Sequence, residues 1–424
     1  MRGALVGLVV LLAVRAAAAD GASPLDTKAS GAASMSAEEL VALGDLYVEA
    51  ARFKEAQKAY AAALKIQKGY GEAELGMARI GMATGKLEKS KNTCRGVARR
   101  HKTETVGEVC SGWVWLTFDR SARAIDEFQK VVEKGDLARG HTGLGEAYRR
   151  QMDGARAVEE FNAAIAAGAK YIALVGLGLA QEGNGAGPDA VMSLQAAVNA
   201  EPASCIAQFQ LGRILGKGKE AAEHLRTALA IRPGWTEAYQ QLGEALLADG
   251  DFAGAAEAFQ AAIDSTKTPR GTAFYGLARA QYGQGKSTEA KASLAKAIEL
   301  VPNLVDAYLL LSDIAYGSGD QQGAMDALEQ ARTAAPGEVK VFLHSGLLYF
   351  KLERYTAANG YLEQAIAMKA DLSLAHATLG DISCSRRLYD EGRAHYDDAL
   401  KGDLNDVTSA DLVARKAACQ PKKR

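Results

Sequence analysis

Glycine or another small residue returns at one fixed phase of a segment repeated along most of this chain, and few folds satisfy that pattern. The segment is clearest at residues 236–269, TEAYQQLGEALLADGDFAGAAEAFQAAIDSTKTP. With Thr236 as phase 1, Tyr239, Leu242, Gly243 and Leu246 fall at phases 4, 7, 8 and 11. That spacing puts them on one face of a helix. Ala248 to Asp251 then supplies turn residues. Phe252, Ala255, Phe259, Ala262 and Ile263 form a second apolar stripe. Gly243 and Ala255 lack bulk where the two helices cross, so their backbones can approach closely.

Equivalent segments start at Ala37, Gly71, Thr105, Ala138, Tyr171, Cys205, Thr236, Gly271, Val305, Val339 and Ser373. Phase 8 is occupied in turn by Gly44, Ala78, Gly112, Gly145, Gly178, Gly212, Gly243, Ala278, Ser312, Gly346 and Gly380. Pro202, Pro233, Pro302 and Pro336 close four of the segments at a shared phase, where proline ends a helix. Segment two departs from the pattern with Cys94 where an aromatic is usual, and segment six is shortened at Gly216 to Lys219. The pattern resembles the tetratricopeptide repeat, a helix-turn-helix unit of about 34 residues. The resemblance implies an all-α fold, a right-handed solenoid of about eleven units over residues 37–406. It also implies that the first helix of each unit lines a concave, partner-binding face.

The ends read differently. MRGALVGLVVLLAVRAAAAD has a basic residue, an uncharged apolar run and small residues before Asp20, the layout of a signal peptide over residues 1–19. Residues 20–36 are rich in Ala, Ser and Gly and read as a flexible linker. Residues 407–424 read as a capping helix with a basic tail, Ser409 as its N-cap and Leu412 and Val413 covering the last repeat. Lys and Arg number 50 against 51 Asp and Glu, a balance that argues against nucleic acid. An exported, periplasmic or secreted protein is therefore expected, with no membrane-spanning segment after the signal.

Phases 5, 9 and 12 of the first helices project together. In units eight to ten they give Tyr275, Arg279 and Tyr282, then Leu309 and Tyr316, then Leu343, Leu347 and Phe350. Unit three adds Trp113 and Leu116, and unit four adds Arg149. This ribbon either receives a partner or packs between neighbouring first helices. Cys94 and Cys110 lie on consecutive helices, and Cys384 and Cys419 lie at nearly the same phase one repeat apart, where stacked neighbours could bring them within bonding reach. Each pair is a candidate disulfide or two small buried hydrophobes, which leaves Cys205 single.

AQYGQGKS at 280–287 fits a permissive phosphate-loop pattern, but a true one follows a β-strand. No histidines pair at helical spacing for a metal, so no cofactor, no metal and no catalytic residues are expected. The reading is a non-enzymatic exported scaffold that binds an extended peptide or an amphipathic helix and organises an envelope, secretion or surface-appendage complex. The alternative is a polysaccharide-binding scaffold in exopolysaccharide export.

Overall fold

The computed structural model describes residues 23–402, 404 and 407–421. The signal-peptide reading of residues 1–19 lies outside the described residues. Every element among those described is helical: 24 α-helices and one short 3-10 helix, with no strand. Twenty-two of the α-helices form eleven antiparallel pairs. The first helices are Ala37–Glu49, Gly71–Ala83, Val106–Thr117, Leu137–Arg150, Tyr171–Gly183, Cys205–Leu215, Thr236–Ala248, Gly271–Gly283, Val305–Gly317, Val339–Lys351 and Ser373–Ser385. The array divides into two compact units, Met1–Lys267 and Thr268–Arg424. Repeats one to seven belong to the first unit and repeats eight to eleven to the second. Within each unit the pairs stack in chain order as an α-solenoid.

The phase-8 glycines are seats for large side chains. A Cβ on Gly243 would lie 2.7 Å from the Phe259 ring, and one on Gly145 would lie 2.9 Å from Phe161. Both rings are 1% exposed. Three rings serve two repeats at once. Tyr60 fills the space over Gly44 and over Gly76 of the next repeat. Phe128 does the same over Gly112 and Gly143, and Phe161 over Gly145 and Gly176.

Repeat two has Cys94 at the ring position, and it is bonded to Cys110 at the phase where the next repeat otherwise offers its glycine. Their Cα atoms are 5.4 Å apart. The covalent link thus stands where a ring-on-glycine contact would be. The second bridge joins Cys384 to Cys419, with Cα atoms 5.5 Å apart. Gly392 leaves room for it, since a Cβ there would meet both sulfurs. Cys205 is unpaired and buried, and desolvation pushes its thiol up to about 12.

The turn inside each repeat has a rule that composition hides. Gly85, Gly185, Gly250, Gly285 and Gly319 have positive φ there. So do Ala51, Asp119, Met152, Glu353 and Arg387 at the same phase of five other repeats. The helix end dictates the left-handed residue, and side chains there are tolerated at a cost of about 1 kcal/mol.

Three expectations at the ends need correction. Residues 20–36 are not a helix-free linker. Pro24–Ala29 is a helix with Ser23 as N-cap, and Leu25 is fully buried. One apolar anchor and a cap suffice because the helix docks on the solenoid rather than standing alone. The N-cap of the C-terminal helix Ser409–Ala418 is Thr408, whose side chain accepts from the Asp411 N–H, and not Ser409. Leu412 covers the last repeat at 0% exposure, whereas Val413 is 55% exposed on the outer side.

Thiol titration of unfolded protein, without reductant, is expected to give one free thiol, from Cys205. A count of five would remove both bridges from this fold.

Candidate functional site

The first-helix face differs between the two units. In unit 1 its charges are paired internally. Asp45 accepts from Tyr60 Oη at 2.6 Å and pairs with Arg79 of the next repeat. Arg139 pairs with Glu72, two repeats earlier in sequence. Arg149 makes a two-pronged contact with Glu146 at 2.8 and 2.9 Å, and Arg213 reaches Glu182 at 2.8 Å. Burial pushes the Tyr60 hydroxyl far up, helped by the Asp45 charge. Burial opposes the charge on Arg79, but Asp45 overcomes it and holds the guanidinium charged. Arg149 is therefore half-buried and held by its own helix.

Unit 2 carries the aromatic ribbon. Tyr282 is the most open of its members at 40% exposure, and its hydroxyl reaches the end of the next first helix, near Gly317. Tyr275 is half-buried, with the Arg279 guanidinium 5.6 Å above its ring. Tyr316 is half-buried, with Lys351 Nζ 5.5 Å from its ring centre. Leu343, Leu347 and Phe350 are half-buried, and Phe350 lies 6.0 Å from Tyr355. Trp113, in unit 1, is half-buried and meets Phe128 edge-on at 5.7 Å.

Two of the expected contact residues are corrected. Leu116 is 1% exposed and packs with Phe128 and Leu144; Leu309 is 8% exposed and packs with Leu328 and Leu348. Each leucine sits in the core against the second helix of its own repeat and the first helix of the next, so neither is open to a partner. What the fold leaves at least partly accessible is Tyr275, Arg279, Tyr282, Tyr316, Leu343, Leu347 and Phe350, bordered by Lys351.

Sequence reasoning missed a motif that brackets the array. Asp381 accepts from Tyr396 Oη at 2.6 Å and from Arg415 at 3.0 Å. The spacings, 15 and 34 residues, equal those of Asp45, Tyr60 and Arg79. Arg415 lies on the C-terminal helix. That helix therefore occupies the place of a twelfth repeat's first helix, and the Cys384–Cys419 bridge fastens it there.

Among the described residues no group of three or more His, Cys, Asp or Glu side chains could hold a metal ion. Residues 283–287 form the turn between the helices of repeat eight and do not follow a strand. Among the described residues no helix is long and apolar enough to cross a membrane.

Sequence profiles of the tetratricopeptide repeat match residues 40–70, 215–271 and 275–339. The chain contains tetratricopeptide repeats. No curated protein matches it at a significant level. Among solved structures it is similar to yeast Tom70, at 12% identity and a TM-score of 0.49, covering 90% of this chain and 95% of that one. It is also similar to a thermophilic tetratricopeptide-repeat protein of Thermus thermophilus. The identity is 26% and the TM-score 0.36, over 43% of this chain and 98% of that one. A third is pilF of Pseudomonas aeruginosa, at 21% identity and a TM-score of 0.39, over 47% of this chain and 92% of that one.

If the C-terminal helix is held as a half repeat, Arg415→Leu loosens it. The loss of a partly exposed charged hydrogen bond is about 1 kcal/mol, or roughly fivefold faster amide exchange in Ser409–Ala418. Exchange there equal to that of the native chain would show that the triad does not hold the cap.

Proposed function

We propose that this chain is a non-enzymatic scaffold that holds a protein partner on the first-helix face of repeats eight to ten. The observation that carries this reading is the ribbon of Tyr282, Tyr316, Leu347 and Phe350, partly open to solvent beside Lys351. Repeats eight to ten close on the small residues Ala278, Ser312 and Gly346, and the ribbon side chains pack only partly against the core. Aromatic residues half-covered by their neighbours and edged by charge are the usual anchors of protein recognition. An extended peptide or an amphipathic helix fits such a strip. First-helix charges are paired with one another in unit 1, and unit 2 likewise pairs Lys340 with Asp306 and His344 with Asp313 beside its aromatic line.

The proposed compartment is the periplasm or the cell exterior, with a role in organising an envelope, secretion or surface-appendage complex. Two disulfides support it, because bridges of this kind persist in oxidising compartments. The apolar N-terminal run with its small-residue end supports it too.

The test uses the full chain on a peptide array of extended and amphipathic sequences, beside a glycan array. Tyr282→Ala, Tyr316→Ala and Phe350→Ala are compared with the native chain. Each is expected to lower peptide signal about tenfold, the size of an interface anchor, without moving the melting curve by a similar amount. Glycan signal lost in the same variants would favour the polysaccharide reading. Peptide signal untouched by all three would place the binding face elsewhere.

A further inference from the structure

The first repeat of unit 1 is joined to its fifth and sixth. Glu49, at the end of the first helix of repeat one, accepts from Tyr171 Oη at 2.6 Å and from Ser204 Oγ at 2.7 Å. Tyr171 opens repeat five, and Ser204 caps the first helix of repeat six. Lys170 reaches Glu38 at 3.2 Å across the same junction.

The helix Pro24–Ala29 completes the join. It packs against Ala37–Glu49 on one side and against Lys219–Ile231 of repeat six on the other. Asp26 pairs with Arg52 of repeat one at 2.6 Å, and Lys28 pairs with Glu201 at the entry to repeat six. The fully buried Leu25 belongs to one apolar cluster with Leu40, Leu43, Ala203, Cys205 and Ile231.

A simple N-terminal cap has only repeat one to cover. This segment instead reaches Glu201, 173 positions away, through Lys28. The joint rests mostly on contacts that are individually weak: partly exposed ion pairs, the hydroxyl hydrogen bonds of Glu49, and Leu25 with the partly buried Ala29, Ala32 and Met35. Such a joint can have two states. We propose that residues 23–36 are an intramolecular ligand, a clasp that with Glu49 holds repeats one to six shut, and that its release opens the first-helix face of unit 1.

The groups around Glu49 give the clasp a direction of response. Asp45 faces it from its own helix, Arg79 from repeat two is committed to Asp45, and Tyr171 and Ser204 donate to it. Glu201 lies beyond Tyr171 and is paired with Lys28; Arg232 lies by Cys205. No cation is paired with Glu49 itself among the described ion pairs. Burial outweighs the hydrogen bonds from Tyr171, Ser204 and the Ile206 backbone and lifts the carboxyl to about 7. A carboxyl raised in the closed state binds its proton better closed than open. Closure is therefore favoured in full below the ordinary carboxylate range and weakens as pH rises through about 7.

Cys205 provides the readout, because it is free, 0% exposed and inside the clasp cluster. The full-length oxidised protein is labelled with a maleimide between pH 6 and 8.5. Each rate is divided by that of the urea-unfolded protein at the same pH, which removes the thiol's own titration. The normalised rate of the native chain is expected to rise by up to about tenfold across this range and to level off above about pH 7. Glu49→Gln is expected to stay slow throughout, and Leu25→Asp to be fast even at pH 6. Lys28→Glu is expected to speed labelling, and Lys28→Glu with Glu201→Lys to restore it, which guards against a Leu25 variant that merely fails to fold. A native rate flat with pH, or one that rises equally in Glu49→Gln, overturns the pH response. Labelling unchanged by both Leu25→Asp and Lys28→Glu overturns the clasp.

Discussion

A ring or a leucine set onto a bare glycine is the contact on which the rest of this structure depends. Each helix pair has an apolar stripe that it cannot bury alone. The seat at phase 8 lets the second helix close on the first, and where a second glycine follows in the next repeat, one ring joins two repeats. Tyr60, Phe128 and Phe161 do this in unit 1. Where the ring is absent, at Cys94, a disulfide takes over the same junction. Leu194, Leu225 and Leu362 fill the seats at Gly178, Gly212 and Gly346. Side-chain shape varies along the array while the residue at the seat stays small, glycine in eight repeats and alanine or serine in three, so the pairs keep stacking in order.

Because the interlock is internal to the layers, the first-helix faces are free to differ. In unit 1 that face is spent on the molecule itself, through Asp45–Arg79, Glu72–Arg139 and the contact of Glu49 with repeats five and six. In unit 2 it keeps a partly open aromatic line. The same Asp–Tyr–Arg arrangement appears at Asp45 and at Asp381, and at the second place its arginine comes from the C-terminal helix. A half repeat is a sound terminator: it satisfies the exposed stripe of repeat eleven on one side and meets water on the other.

The repeats were legible in the sequence because a glycine seat leaves a mark at one phase regardless of what else varies. Nine of the eleven first helices start at the residue where the pattern starts, and the other two lie one residue away. The surface was less legible. Leu116 and Leu309 share their helical phases with accessible residues, and the side chains that meet them from the second helix and the next repeat decide that they are covered. The helix at Pro24–Ala29 has a single apolar anchor, too few for any periodicity to emerge. Five turns place Ala51, Asp119, Met152, Glu353 and Arg387 in the left-handed region, where glycine would have announced the bend. The spacing of Asp381, Tyr396 and Arg415 was present in the sequence, but a polar triad has no meaning until the helices that carry it are known to touch.

The interlock is tested most directly by a double-mutant cycle at Gly243 and Phe259, read by chemical denaturation. Gly243→Leu alone overfills the seat and is expected to cost about 1–3 kcal/mol. Placed in a Phe259→Ala background, the same leucine enters the space the ring has left, and its cost should vanish or reverse sign. An equal penalty in both backgrounds would mean that Phe259 does not sit on Gly243, and the account of how these repeats hold together would be wrong.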